Sequence, residues 1–141
     1  VKALAPDFLV DAGPLVGWLD GSDQWHEWSV RSLRVLPGPL VTTETAFAEA
    51  CHHLRELRPA LDVLLGLVEQ GDLVLVPAAG LFAARIRTLL ERYPKMDLGD
   101  ASLVALSEKH PRARLVTLDR RDFTVYRRND GKPVPCVLPP V

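Results

Sequence analysis

Cysteine is scarce: Cys51 and Cys136 are the only two in 141 residues, and they form no CxxC pair. This leaves free, buried thiols in a reducing cytoplasm as the expectation. No apolar run approaches the roughly 18 residues needed to span a bilayer, so no membrane role is expected. Lys2 is followed by Ala-Leu-Ala-Pro-Asp, a segment too short and too broken to read as a signal peptide. No GxxxxGK[ST] loop or GxGxxG turn occurs, which argues against a nucleotide cofactor. The missing GxSxG elbow argues against a serine hydrolase. His26, His52, His53 and His110 lack HxxxH or HExxH spacing, so zinc chemistry recedes and a structural or surface role is expected. Internal repeats, low-complexity tracts and linkers are absent as well, and residues 1–141 read as one domain with a single core.

Strand-like and helix-like segments alternate along the chain. Phe8-Leu9-Val10 reads as a short buried strand, followed by a helix over 14–19 with Pro14 in its first turn. Ser22 or Asp23 is expected to cap a second helix reaching about Leu36, ended by Pro37-Gly38-Pro39. Leu40-Val41 is a second strand, and Thr42 or Thr43 caps a helix to about Leu57. Pro59 starts another helix, Leu73 to Val76 is a strand, and Leu81 to Arg92 a helix. Asp97 caps a helix running to Lys109, Arg114 to Leu118 is a strand, and Val134 to Leu138 an edge strand, because Pro135 cannot donate to a central ladder. This alternation predicts an α/β fold with a parallel sheet between helices.

Acidic residues then stand out by position. Asp11 and Asp119 each follow a strand-like run, and in open α/β sheets ligands bind at the carboxyl ends of the strands. Asp97 and Asp100 share one face at a helix start, where negative charge is favoured. An N-cap role alone would also explain Asp97. Glu49 sits among Ala46, Phe47, Ala48 and Ala50, where a carboxylate is expected to be paired or metal-bound. Glu44, in the first helical turn, serves the helix dipole instead. Two charges about 4 Å apart repel by roughly 4 kcal/mol at an effective dielectric of about 20. A divalent cation relieves this, so a Mg²⁺ or Mn²⁺ site is expected.

Four segments resemble the PIN domain family: 8–15 (Phe-Leu-Val-Asp-Ala-Gly-Pro-Leu), 42–49 (Thr-Thr-Glu-Thr-Ala-Phe-Ala-Glu), 96–101 (Met-Asp-Leu-Gly-Asp-Ala) and 116–123 (Val-Thr-Leu-Asp-Arg-Arg-Asp-Phe). They occur in the family's order and span nearly the whole chain. Within the family they look closest to the VapC-type toxin ribonucleases of VapBC toxin–antitoxin modules and their orphan relatives. The resemblance implies a three-layer α/β/α sandwich around a central, mostly parallel sheet. It also implies a Mg²⁺- or Mn²⁺-dependent endoribonuclease leaving 5′-phosphate and 3′-hydroxyl ends. By position the acidic cluster is Asp11, Glu49, Asp100 and Asp119, with Asp97 close by and Asp122 accessory. Asp11, Asp100 and Asp119 would bind the main ion, and Glu49, with Asp97, a second ion or the attacking water. Thr117 matches a hydroxyl position that orients a carboxylate or water. One departure is Ala12, where the family often has Thr or Ser, so a hydroxyl that could orient a ligand is missing.

Charge is unevenly divided. Residues 1–80 carry 5 Lys+Arg against 11 Asp+Glu, hence −6; residues 81–141 carry 12 against 7, hence +5. Arg112, Arg114, Arg120, Arg121, Arg127 and Arg128 make this half basic, either as a solvated face or as a grip on a phosphate backbone. Arg120 and Arg121 are the residues nearest the expected cleft. Trp18, Trp25 and Trp28 fit core packing better than base stacking. An RNA substrate, a small antitoxin inserting a chain into the cleft, and a homodimer are the partners the resemblance implies. Two rival readings remain at this stage. One is a PIN-like binding module with a weakened site. The other is a Mg²⁺-dependent receiver-like domain, which would normally keep a lysine on a late strand end, where this chain has Asp119, Arg120 and Arg121.

Overall fold

The computed structural model describes residues 5–141. The beginning of the segment read above as too short for a signal peptide (1–4) lies outside the described residues. Thirteen elements follow one another: β1 (Phe8–Val10), α1 (Ala12–Leu19), α2 (His26–Arg34), β2 (Leu40–Thr43), α3 (Glu44–His53), α4 (Arg58–Glu69), β3 (Leu73–Val76), α5 (Ala78–Leu81), α6 (Ala83–Arg92), α7 (Leu98–Lys109), β4 (Arg114–Val116), α8 (Arg120–Phe123) and β5 (Cys136–Val137). The strands form one sheet in the order β3-β2-β1-β4-β5, with every pairing parallel.

A parallel sheet is stable only when both faces are covered. Side-chain alternation along the short strands assigns the two faces. Leu9, Val41 and Leu115 point into a core shared with Ile86 and Leu89 of α6 and Leu103 and Leu106 of α7. Val10, Leu40, Leu73 and Val116 point into a second core shared with Leu15 of α1, Leu33 of α2, Leu54 at the end of α3 and Leu64 of α4. The result is the three-layer α/β/α sandwich, with a fully parallel sheet. Helix α7 is buried over Ala101–Ser107, so its sequence carries almost no polar face. Its serines are satisfied locally: Ser102 Oγ donates to the Gly99 carbonyl at 2.6 Å, and Ser107 Oγ to the Val104 carbonyl at 2.9 Å.

Several boundaries differ from the sequence expectation, each for a local reason. Helix α1 begins at Ala12, before Pro14, because the Asp11 carboxylate caps it. Helix α2 begins only at His26: Asp23 Oδ1 accepts from Trp25 N at 2.8 Å, spending that carboxylate on a turn. Helix α3 stops at His53, short of Leu57, since the ring of Pro59 would meet the carbonyl of Arg55 in a continuous helix. The expected helix over 81–92 is broken at Phe82, which has φ −125° and ψ 29° and packs its ring against the first core. Strand β4 ends at Val116 rather than Leu118, and the short α8 follows it, capped by Asp119. Cys51 and Cys136 are free thiols, and burial pushes Cys136 up to about 11. Among the described residues no helix is long and apolar enough to cross a membrane.

Helices α1 and α2 pack closely through Gly17. A Cβ there would sit 3.2 Å from Ser29 Cβ and 3.3 Å from the Trp25 carbonyl oxygen, and closer still to Ser29 Oγ. Ser29 is fully buried, so the contact cannot open into solvent. Gly17→Ala is expected to cost about 1–3 kcal/mol through overpacking. A melting temperature several degrees below wild type would show this, and an unchanged one would remove the close-packing argument.

Candidate functional site

Strand β1 is the topological switch point: the chain leaves it for β2 and β3 on one side and returns to β4 and β5 on the other. The crevice beyond the carboxyl ends of β1 and β4 is where an open α/β sheet holds a ligand. Asp11 follows β1, and Asp11 N donates to the Val116 carbonyl at 3.0 Å, fixing it beside the end of β4. Thr117 follows β4 and is fully buried. Its hydroxyl donates to Asp11 Oδ2 at 2.7 Å and accepts from Asp119 N at 3.1 Å, so one side chain ties the two strand ends together.

Three acids each occupy a helix start. Asp11 Oδ1 accepts from Ala12 N at 2.7 Å, Asp97 Oδ1 from Asp100 N at 2.8 Å, and Asp119 Oδ1 from Asp122 N at 3.0 Å. Three helix N-termini thus converge on one crevice, where their dipoles favour negative charge. Among the described residues, Asp100, Asp119 and Asp122 each offer a carboxylate oxygen within 4.8 Å of the others. Asp122 therefore stands inside the cluster beside Asp100 and Asp119, a more central place than the accessory one expected. Asp11 lies outside that triad but is joined to Asp119 through Thr117.

Glu49 is an exposed residue at the rim, with His53 Nε2 4.0 Å from its carboxylate. Its apolar neighbours belong to other faces of α3. Glu49 still meets the cluster across Gly99, where a Cβ would lie 3.3 Å from Glu49 Oε2 and 3.5 Å from Asp97 Oδ1. Asp97 is exposed and acts as the α7 N-cap. With Ala12, Gly13, Asp23 and Leu118, Glu49 and His53 line a cleft of about 180 Å³ at the crevice edge.

The arginines separate into different roles. Arg120 Nη2 donates to the Pro139 carbonyl, pinning the C-terminal segment, and Arg121 is exposed. Arg127 binds the carbonyls of Thr124, Val125 and Tyr126. Arg128 is buried, clamps the Pro111 carbonyl at 3.0 Å and pairs with Asp130 at 3.6 Å. The last two are structural, so the expected basic patch is smaller than the count of arginines suggests.

Tyr126 is a site residue that the sequence reading missed. Its hydroxyl donates to Asp100 Oδ2 at 2.9 Å, and its ring packs edge-on against Phe123 and Tyr93. Burial and the neighbouring acids hold its phenol far above the usual range, so it remains a donor. Twenty-six residues separate Tyr126 from Asp100, and no local pattern links them. Asp122 did carry a signal, since Asp119-x-x-Asp122 has the spacing of an N-cap followed by a first-turn acid.

Electrostatics follow from crowding in a half-dry crevice. Burial, then the charge of Asp97, raises Asp100 to about 7, against the opposing hydrogen bond from Tyr126. Burial raises Asp11 to about 6, against the bonds from Thr117 and Ala12. Asp119 and Glu49 are also raised, by burial and by neighbouring acids. Carboxylates held with elevated pKa values and oxygen atoms this close match the donor set of a hard divalent cation.

No protein-family model and no curated protein matches this sequence. Its architecture is the PIN-like three-layer sandwich, shared with solved structures at low sequence identity. One is a toxin–antitoxin complex from Klebsiella pneumoniae, 19% identical over 84% of this chain and 91% of that one, with a TM-score of 0.65. Another is VapC20 of Mycobacterium tuberculosis, a sarcin–ricin loop cleaving toxin, 13% identical over 77% and 86% of the two chains, with a TM-score of 0.69. PAE2754 from Pyrobaculum aerophilum is 19% identical over 96% and 93%, with a TM-score of 0.59.

Two outcomes are expected. An aspartate raised in the folded state destabilises the metal-free fold above that pKa and does so less as pH falls toward 3.8. Metal-free Asp100→Asn should therefore melt higher than wild type at pH 8, and the gap should close near pH 4. Saturating Mn²⁺ should reverse the order at pH 8. A gap independent of pH would show that Asp100 is not under this strain. Tyr126→Phe removes the donor that orients Asp100 and is expected to weaken Mn²⁺ binding about 10-fold or more. Calorimetric titration checks this, and an unchanged affinity would leave Tyr126 a packing residue.

Proposed function

We propose that this protein is a divalent-metal-dependent endoribonuclease, with the carboxylates at the switch point as its active site. The observation that carries the reading is the convergence of Asp100, Asp119 and Asp122 within 4.8 Å, beside Asp11. The donor set fits Mg²⁺ or Mn²⁺, which would be held by Asp100, Asp119 and Asp122 with Asp11 alongside. A divalent ion in such a site lowers the pKa of water and neutralises charge on the phosphate oxygens.

The protein's own groups supply position. Thr117 and Ala12 N hold both oxygens of Asp11, so this carboxylate cannot rotate away as charge builds up nearby. Tyr126 holds one oxygen of Asp100, which fixes the orientation of that carboxylate. Asp97 spends one oxygen on Asp100 N, fixing the start of α7. Glu49, exposed at the rim and raised in pKa, is suited to accept a proton from water approaching the crevice. Arg121, an exposed cation, would steer the phosphate backbone without reading bases.

RNA is the proposed substrate, supported by the fold shared with a sarcin–ricin loop cleaving toxin. A small antitoxin is the proposed protein partner, supported by the fold shared with a toxin–antitoxin complex. Arginine or lysine from such a partner would find complementary charge in the acidic crevice. A homodimer and a cytoplasmic location belong to the same proposal.

Purified protein incubated with mixed structured and unstructured RNAs is expected to cleave with Mg²⁺ or Mn²⁺ and not with EDTA. Asp100→Asn, shown to be folded, should lose at least about 100-fold in rate, the scale on which a metal site fails when a ligand is removed. Equal cleavage by variant and wild type would sink the assignment of the site. A wild type inert with both metals would favour a binding module.

A further inference from the structure

Beside the carboxylates lies a second concavity, of about 370 Å³, lined chiefly by apolar surface. Its walls are Tyr93, Met96, Val125 and Tyr126, and its rim carries Lys95, Arg121 and Asp122. Two of these residues belong to both places. Asp122 is one of the three clustered acids, and Tyr126 donates to Asp100. The cleft therefore opens directly onto the acidic cluster.

Its chemistry is that of a nucleotide. Val125 is 58% exposed, an apolar side chain turned to solvent at the mouth, and Tyr93 is half-buried behind it. Tyr126 and Met96 are buried, so half-buried Tyr93 supplies the aromatic surface, and an apolar slot with such a ring accepts the face of a base without regard to its hydrogen-bonding edge. Among the described residues, neither Lys95 nor Arg121 is paired with a carboxylate. Two unpaired cations on the rim suit the phosphate groups of a chain passing over it.

We propose that this cleft holds the base of a nucleotide adjoining the scissile phosphate, with Lys95 and Arg121 gripping the backbone on either side of it. This deepens the ribonuclease reading and rests on it for the words "scissile phosphate"; the base-binding slot itself is independent of turnover. A slot that holds a base by its face takes single-stranded, unstacked nucleotides in preference to a duplex.

The test measures binding by fluorescence anisotropy in Ca²⁺, with a labelled single-stranded hexaribonucleotide and a ribose–phosphate chain of the same length carrying no bases. Wild type is expected to prefer the base-containing chain by about tenfold. Val125→Glu, at an exposed position, should abolish the preference, while Leu81→Glu, exposed in a different groove, should keep it. Lys95→Ala with Arg121→Ala should weaken both chains alike and flatten the salt dependence. Equal binding of the two chains by wild type, or a preference that survives Val125→Glu, would overturn the proposal and leave the slot to a protein segment. Cleavage is followed in parallel with Mn²⁺. Cleavage without a Val125-dependent preference removes the slot alone. A Val125-dependent preference without cleavage removes the ribonuclease reading and keeps the slot.

Discussion

Like charges crowded at the carboxyl ends of two neighbouring strands are the condition around which this fold is organised. Left in an apolar crevice, such carboxylates would force one another apart or take up protons. The backbone opposes this with three helix starts. Ala12 N, Asp100 N and Asp122 N each donate to an acid of the crevice, so the same bonds that begin α1, α7 and α8 hold Asp11, Asp97 and Asp119 in place. The opposition is incomplete, and Asp100 and Asp11 remain raised to about 7 and 6. A crevice in this condition has a standing demand for positive charge, whether from a metal ion or from a basic partner.

Neutral groups around the acids give the demand its geometry. Thr117 bridges the ends of β1 and β4 through one hydroxyl, and Tyr126 reaches Asp100 from the segment after α8. Gly99 leaves the room in which Glu49 and Asp97 approach each other. Close to these, the apolar slot below Val125 places a surface suited to a base next to acids suited to metal.

Arginine placement shows how far a net charge can mislead. The +5 balance of residues 81–141 suggests a broad basic face. Arg85 is bound to Glu108 at 2.9 Å, Arg128 is buried on the Pro111 carbonyl, and Arg127 folds back on three carbonyls. Guanidinium groups are well suited to satisfying carbonyl oxygens at the ends of elements, because their planar fork offers several donors at once. Part of the apparent patch is therefore structural, and Lys95 and Arg121 are exposed cations beside the crevice.

The sequence by itself determined the alternation of strands and helices, the two-sided burial of the sheet and the acids at strand ends, because these are written in local periodicity and in capping residues. Asp11, Asp97 and Asp119 could be found from their neighbours along the chain. Which acids meet was decided by tertiary structure. The strand order places β1 against β4, and that pairing, between segments more than a hundred residues apart, brings Asp11 to Thr117. Glu49 shows the same dependence: its apolar neighbours suggested a paired or metal-bound carboxylate, and helix periodicity turned those neighbours to other faces and set Glu49 at the rim. Tyr126 had no signal at all, since a hydroxyl becomes part of an acidic site only when the fold carries it there.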